Sequence, residues 1–279
     1  MTDHKLPYLV NCSLLFTEVP LLRRPAAAKA AGFTAVEFWW PFATPVPPDR
    51  EVDAFATAIE DAGVSLIGLN FFAGDLAGPD AGVLSIPARG GEFRDNIDVV
   101  AGLAGRLGIQ GCNALYGNRV EGVDPAAQDE LATESIVLAA KAVAGTGTTV
   151  LIEPVSGPKP YPLRTADDAA AVVSRVRAAG AANVGFLCDL YHLASNGDDI
   201  DAAIAAHSGI TAHVQIADAP GRGEPGSGQL DLGRYLAELA DRGYRGWVSL
   251  EYKPTSATEE SLAWLPRERR AAHLGEDHS

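Results

Sequence analysis

Eight short apolar or β-branched runs, at 8–13, 35–39, 65–71, 111–115, 148–153, 184–189, 211–217 and 247–251, alternate along this chain with longer Ala-rich stretches of helical period. Runs of four to eight residues read as strands, and the stretches between them, with apolar residues every three or four positions, read as helices. The helices are expected at 20–31, 49–62, 92–107, 125–144, 165–179, 200–206 and 232–242, with a last one at 257–270. Strands separated by helices run parallel, because a crossover of that length carries the chain back to the same end of the sheet. The segments "AGF", "AGV", "LGI" and "RGY" repeat a helix-ending glycine, at Gly32, Gly63, Gly108 and Gly243, just before a strand. Eight strands and eight helices in strict alternation predict an α/β fold of the closed (β/α)8 TIM-barrel type. An open, doubly wound sheet is the alternative that the same alternation permits.

A length of 279 residues suits one such barrel, and no Pro/Ser-rich linker divides the chain. The expectation is a single domain over 1–279, with the barrel at about 8–265 and a polar tail at 271–279. The longest stretch without periodicity, 72–91, is long enough to read as a lid. A formal net charge of −14 argues against nucleic acid and anionic membrane surfaces as partners, since both demand Lys and Arg. A small anionic substrate remains compatible, because a few local cations outweigh a distant field. No basic segment precedes a long apolar run at the N-terminus, and no window of eighteen uninterrupted apolar residues exists, so neither export nor a membrane span is expected. Cys12, Cys112 and Cys188, an odd count, all fall in strand-like segments, the pattern of buried reduced thiols in a cytoplasmic protein.

In a TIM barrel the chemistry gathers where the strands end. The last four strands read "TVLIEP", "FLCDLYH", "AHVQIAD" and "VSLEYKP", and each ends on one oxygen-bearing side chain: Glu153, Asp189, Gln215 and Glu251. Three carboxylates converging in one cavity repel one another and are costly to bury, a conflict that a divalent cation removes. An oxygen-only set with room for water or substrate suits Mg²⁺ or Mn²⁺; zinc would recruit nitrogen or sulfur. Strand alternation puts His213 on the same face as Gln215, one layer deeper, where it supports the site or packs in the core.

The segments "NCSLLFTEVP", "AGFTAVEFWWP", "LIEP", "CDLYH", "AHVQIADAPGRGEPGSG" and "GWVSLEYKP" together resemble the hydroxypyruvate isomerase family, within the xylose isomerase-like TIM barrels. The resemblance runs from about Val10 to Pro254. It implies metal ligands at Glu153, Asp189, Gln215 and Glu251, with Glu153 and Glu251 as the catalytic acid/base pair. Related ketose 3-epimerases carry His where this chain has Gln215, which favours the hydroxypyruvate branch. The implied reaction interconverts hydroxypyruvate and tartronate semialdehyde through an enediolate. His192 matches a residue that touches a substrate hydroxyl in the epimerases. A carboxylate substrate asks for a cation, and Arg222, Lys159 and Lys253 all follow ligand-bearing strands. Glu37 and Asn70, at the ends of strands two and three, complete the substrate-binding candidates. Trp39, Trp40 and Phe42 read as core aromatics, with a pocket wall or a subunit contact as alternatives. Family members often associate, so a homo-oligomer is expected.

The 72–91 stretch departs from the pattern of the hydroxypyruvate isomerases, which keeps longer 2-oxo acids and free ketoses open as substrates. A phosphate-ester nuclease on the same barrel would need a His-rich zinc cluster and a basic face, against six His and the negative charge here. A barrel without catalysis would have a broken ligand set, and this one is complete. "GRGEPG", at 221–226, matches a dinucleotide-binding fingerprint, but it follows the seventh strand instead of opening a first βα unit; no nucleotide cofactor is expected. "GTGTT" at 145–149 precedes a strand and cannot present a helix N-terminus to phosphate.

Overall fold

The expected alternation is realised in full in a computed structural model that describes residues 4–76, 78–157 and 159–271. The strands are β1 (Tyr8–Asn11), β2 (Ala35–Phe38), β3 (Ser65–Asn70), β4 (Gly111–Asn113), β5 (Thr149–Ile152), β6 (Val184–Asp189), β7 (Thr211–Ile216) and β8 (Val248–Leu250). Each pairs in parallel with the next, and β8 closes on β1 through Tyr8↔Val248 and Val10↔Leu250. Closure leaves no sheet edge, so the open doubly wound alternative does not apply.

The outer helices are α1 (Arg24–Ala30), α2 (Asp49–Ala62), α3 (Gly90–Leu107), α4 (Pro125–Val143), α5 (Ala166–Ala178), α6 (Leu190–Asn196), α7 (Ile200–His207), α8 (Leu232–Asp241) and α9 (Thr258–Ser261). Their ends follow local chemistry. Gly63 and Gly108 stop α2 and α3 in left-handed conformations, at φ 62° and 68°, that cost glycine least. Thr165 and Asp168 start α5 with a reciprocal capping box. The longer helices turn an apolar stripe inward, as Phe55 and Ile59 of α2 do, and burying such a side chain contributes roughly 1.5–3 kcal/mol.

Two expectations about helices are corrected. The stretch 257–270 is not one helix: α9 stops at Ser261, and only a 3₁₀ turn, Arg267–Arg269, follows Pro266. A proline at that position removes a backbone donor and ends any continuous run. In the other direction, α6 forms where a loop was expected, because Asp189 caps it, accepting from the N–H groups of Tyr191 and His192.

Of the 72–91 stretch, residues 72–76 and 78–89 form a strapped loop at the C-terminal end of the barrel, and Gly90 and Gly91 already belong to α3. Gly82 bridges to Tyr116, Arg89 pairs with Asp80 at 2.6 Å, and Asn118 donates to the carbonyl of Pro79. Cys12, Cys112 and Cys188 are free and buried. Among the described residues no helix is long and apolar enough to cross a membrane. The tail at 272–279 lies outside the described residues.

Candidate active site

Glu153, Asp189 and Glu251, carried by three different strands, meet at the C-terminal end of the barrel. One ligating atom from each of them and from His192 lies within 4.8 Å of the others, and all four residues are buried. Asp189 is the last residue of β6, and Glu153 and Glu251 each stand one residue beyond β5 and β8. Gln215, one residue before the end of β7, is the ladder neighbour of Asp189. The carboxamide that the alternation argument placed on this face is therefore beside the acids.

The electrostatics are those of crowded anions. Burial, then the charges of Glu251 and Asp189, push the Glu153 carboxyl well above the usual carboxylate range. Burial and Glu251 raise Asp189 to about 8. Burial also raises Glu251, against the pull of Arg222. Donors offset part of this cost. Asn113 donates to Glu153 Oε2 at 2.6 Å, and Trp39 and Asn11 donate to Glu251 Oε1 at 2.6 and 3.2 Å. Arg222 Nη2 meets Glu251 Oε2 at 2.5 Å, with its guanidinium 5.3 Å from the centre of the Tyr191 ring. Arg222 holds this place in a left-handed conformation, φ 60°, that a non-glycine side chain adopts at a cost.

The donor set fits a hard divalent ion. Three carboxylates share one buried locus, and Gln215 Oε1 is buried without a hydrogen-bond partner, an acceptor that only a donor or a cation satisfies. His192 takes a different role. Its Nδ1 accepts from the backbone N–H of Ser156 at 3.0 Å, and burial, then the Arg222 charge, hold its pKa well below the usual value. A neutral ring that accepts at Nδ1 carries its hydrogen on Nε2, so the atom 3.7 Å from Asp189 and 3.8 Å from Glu153 is a donor.

A cavity of about 170 Å³ opens above the acids, lined by Trp39, Asn70, Lys159, His192, Arg222 and Glu251 among others. Of the predicted substrate contacts, Asn70, Lys159, His192 and Arg222 border it. Lys253 stands two residues after Glu251 and would share its face if the strand continued, but it is exposed, lies outside the cavity's lining and donates its backbone N–H to the Arg222 carbonyl. Glu37 is buried out of the cavity's lining, where it accepts from Gln215 and meets His213 Nε2 at 2.7 Å. Trp39 leaves the core reading: its indole N–H binds a site carboxylate. Asn11, Asn113 and Ser156 were not legible as site residues, because a lone amide or hydroxyl in an apolar run carries no signature of its partner. The fingerprint at 221–226 spends its Gly226 amide on the Asp218 carboxylate at 2.8 Å.

A barrel of eight parallel strands with an acidic centre at their C-terminal ends defines a class of enzyme, and comparison with known proteins gives it a family. The sequence profile of the xylose isomerase-like TIM barrels matches residues 25–268, and the chain belongs to that family. A protein of Streptomyces coelicolor described as a putative hydroxypyruvate isomerase is 57% identical over 94% of this chain and 96% of its own. The 2-oxo-tetronate isomerase of Cupriavidus necator is 32% identical over 92% of this chain and 96% of its own. A solved structure from Brucella melitensis, described as an AP endonuclease of family 2, superimposes with a TM-score of 0.83 at 35% identity, covering 93% of this chain and 98% of that one. Within the family these relatives set the chain among the isomerases.

Proposed function

We propose that this protein moves a carbonyl between adjacent carbons of a short 2-oxo acid, interconverting hydroxypyruvate and tartronate semialdehyde, with Mg²⁺ or Mn²⁺ held by Glu153, Asp189, Gln215 and Glu251. The observation that carries the reading is the meeting of three buried carboxylates beneath a small cavity that has Lys159 on its wall.

The ion, when bound, supplies a Lewis acid that stabilises negative charge on the substrate oxygens. The chain's own groups do the rest. One of Glu153 and Glu251 removes the proton from the carbon bearing the hydroxyl, leaving an enediolate; the hydroxyl proton passes to the oxygen of the former carbonyl, and the neighbouring carbon is then protonated as the carbonyl appears at the first. Carboxyl groups whose burial raises their proton affinity suit both the removal and the return. His192 Nε2–H donates to a substrate oxygen, its tautomer held by Ser156. The ammonium of Lys159 donates to the backbone carbonyls of Leu76 and Asp80 on the cavity wall, and its charge is the one assigned here to the substrate's carboxylate. The Cupriavidus relative supports a second reading, in which the substrate is a four-carbon 2-oxo acid.

Turnover of three-carbon, four-carbon and six-carbon candidates in D₂O separates the readings. The expected outcome is fastest conversion of hydroxypyruvate, with solvent deuterium at the carbon that receives hydrogen. Fastest conversion of the four-carbon acid would select the second reading, and transfer without solvent label would replace proton transfer by an internal hydride shift. EDTA is expected to abolish activity and Mg²⁺ or Mn²⁺ to restore it; activity unmoved by chelation would end the metal assignment.

A further inference from the structure

The orientation of a carboxamide is a choice between an oxygen and an NH₂, and here a chain of hydrogen bonds makes it. The backbone N–H of Ser13 donates to Asn11 Oδ1 at 2.9 Å, which leaves Asn11 Nδ2 facing inward. That nitrogen donates to Glu37 Oε1 at 2.8 Å, so Glu37 Oε1 is an acceptor. Gln215 meets the same oxygen at 2.7 Å and must therefore present Nε2 to it. Its own Oε1 is turned away, buried and without a protein partner. Space for this arrangement is built into the neighbouring strand. Gly68 pairs with Glu37, and a Cβ there would stand 2.7 Å from Glu37 Oε2 and 3.0 Å from Glu37 Cβ. A side chain at 68 would push Glu37 off both Asn11 and Gln215.

We propose that Glu37 is a positioning residue whose Oε1 fixes the Gln215 carboxamide with its oxygen, not its NH₂, free beside Asp189 to bind the divalent ion. This rests on the metal reading above. The role needs an acceptor at one place and does not need a negative charge, which distinguishes it from a general attraction of Glu37 for a cation. His213, at 2.7 Å from the other carboxylate oxygen, holds the group from below.

Two conservative variants separate position from charge. Glu37→Asp keeps the charge and withdraws the acceptor by one methylene. Glu37→Gln keeps an acceptor oxygen within reach of Asn11 and Gln215, turns its NH₂ to His213, and loses the charge. Mn²⁺ affinity of the full-length protein, measured by titration calorimetry and by the electron paramagnetic resonance of free Mn²⁺, is expected to fall at least tenfold in Glu37→Asp and to stay within about threefold of the parent in Glu37→Gln. Circular dichroism checks that both variants fold. A loss in Glu37→Gln as large as in Glu37→Asp, or no loss in either, would overturn the proposal. The Gln variant decides by itself if the Asp variant does not fold, since a loss there of tenfold or more assigns the effect to charge. Absence of Mn²⁺ binding by the parent protein is a different result, which removes the metal reading and this proposal with it.

Discussion

The two halves of the barrel contribute different chemistry to one site. The second half, β5 to β8, brings Glu153, Asp189, Gln215 and Glu251, the groups proposed to hold a cation, with the two glutamates proposed to move protons. The first half, β1 to β4, brings amides: Asn11, Asn70 and Asn113, with Glu37 beneath. Asn113 reaches across to Glu153, and Asn11 to both Glu37 and Glu251. Anions crowded on one side accept from neutral donors on the other, and Glu251 accepts also from Arg222, which follows β7. The proposed reactive groups and their amide donors thus come from different halves of the strand order.

Substitutions test that division most sharply on the acid side. Glu153→Gln and Glu251→Gln are each expected to lower kcat by about 10²–10⁴-fold with the circular dichroism spectrum unchanged, since each alters a mouth residue and no core volume. Activity retained by both would end the acid/base assignment. At the cavity wall, Lys159→Met is expected to raise KM for a 2-oxo acid by about 10–100-fold, the equivalent of a charged hydrogen bond worth roughly 1.5–3 kcal/mol, with kcat little changed. Equal losses on a neutral ketose of the same length would show that Lys159 only ties the 72–91 loop. The smallest effect belongs to the amide side. Asn113→Ala removes one donor from the Glu153 carboxylate and is expected to cost about 12-fold in kcat/KM, from about 1.5 kcal/mol at the low end for a hydrogen bond to a charged group. A loss matching that of Glu153→Gln would move Asn113 out of the supporting half and into the chemistry.

The same division explains what could be read before any coordinates. A lone Glu or Asp at the end of an apolar strand is conspicuous because burying it unpaired is costly, and three such ends among four successive strands, with Gln215 on the fourth, leave few explanations. Asn113 in "GCNAL" is not conspicuous, since a short amide is cheap in a turn or a strand end and its partner lies 40 residues away. Lys253 misled for a related reason. Strand parity holds only while the strand continues, and β8 ends at Leu250. The helix expected at 257–270 failed on Pro266, and α6 was missed because Asp189 was read only as a site residue when it is also a helix cap.

The sequence by itself determined the eight alternating strand and helix units and the acidic residues at the strand ends, because period and punctuation are local properties. Closure into a barrel, against the open doubly wound alternative, was settled by the pairing of β8 with β1. Only the tertiary structure decided which side chains meet: that Glu37 serves Gln215 and His213 from below, that Arg222 and Trp39 hold Glu251, and that His192 presents a donor to the acids. Those are contacts between strands and loops far apart in the chain, and hydrogen-bond direction exists only once both partners are in place.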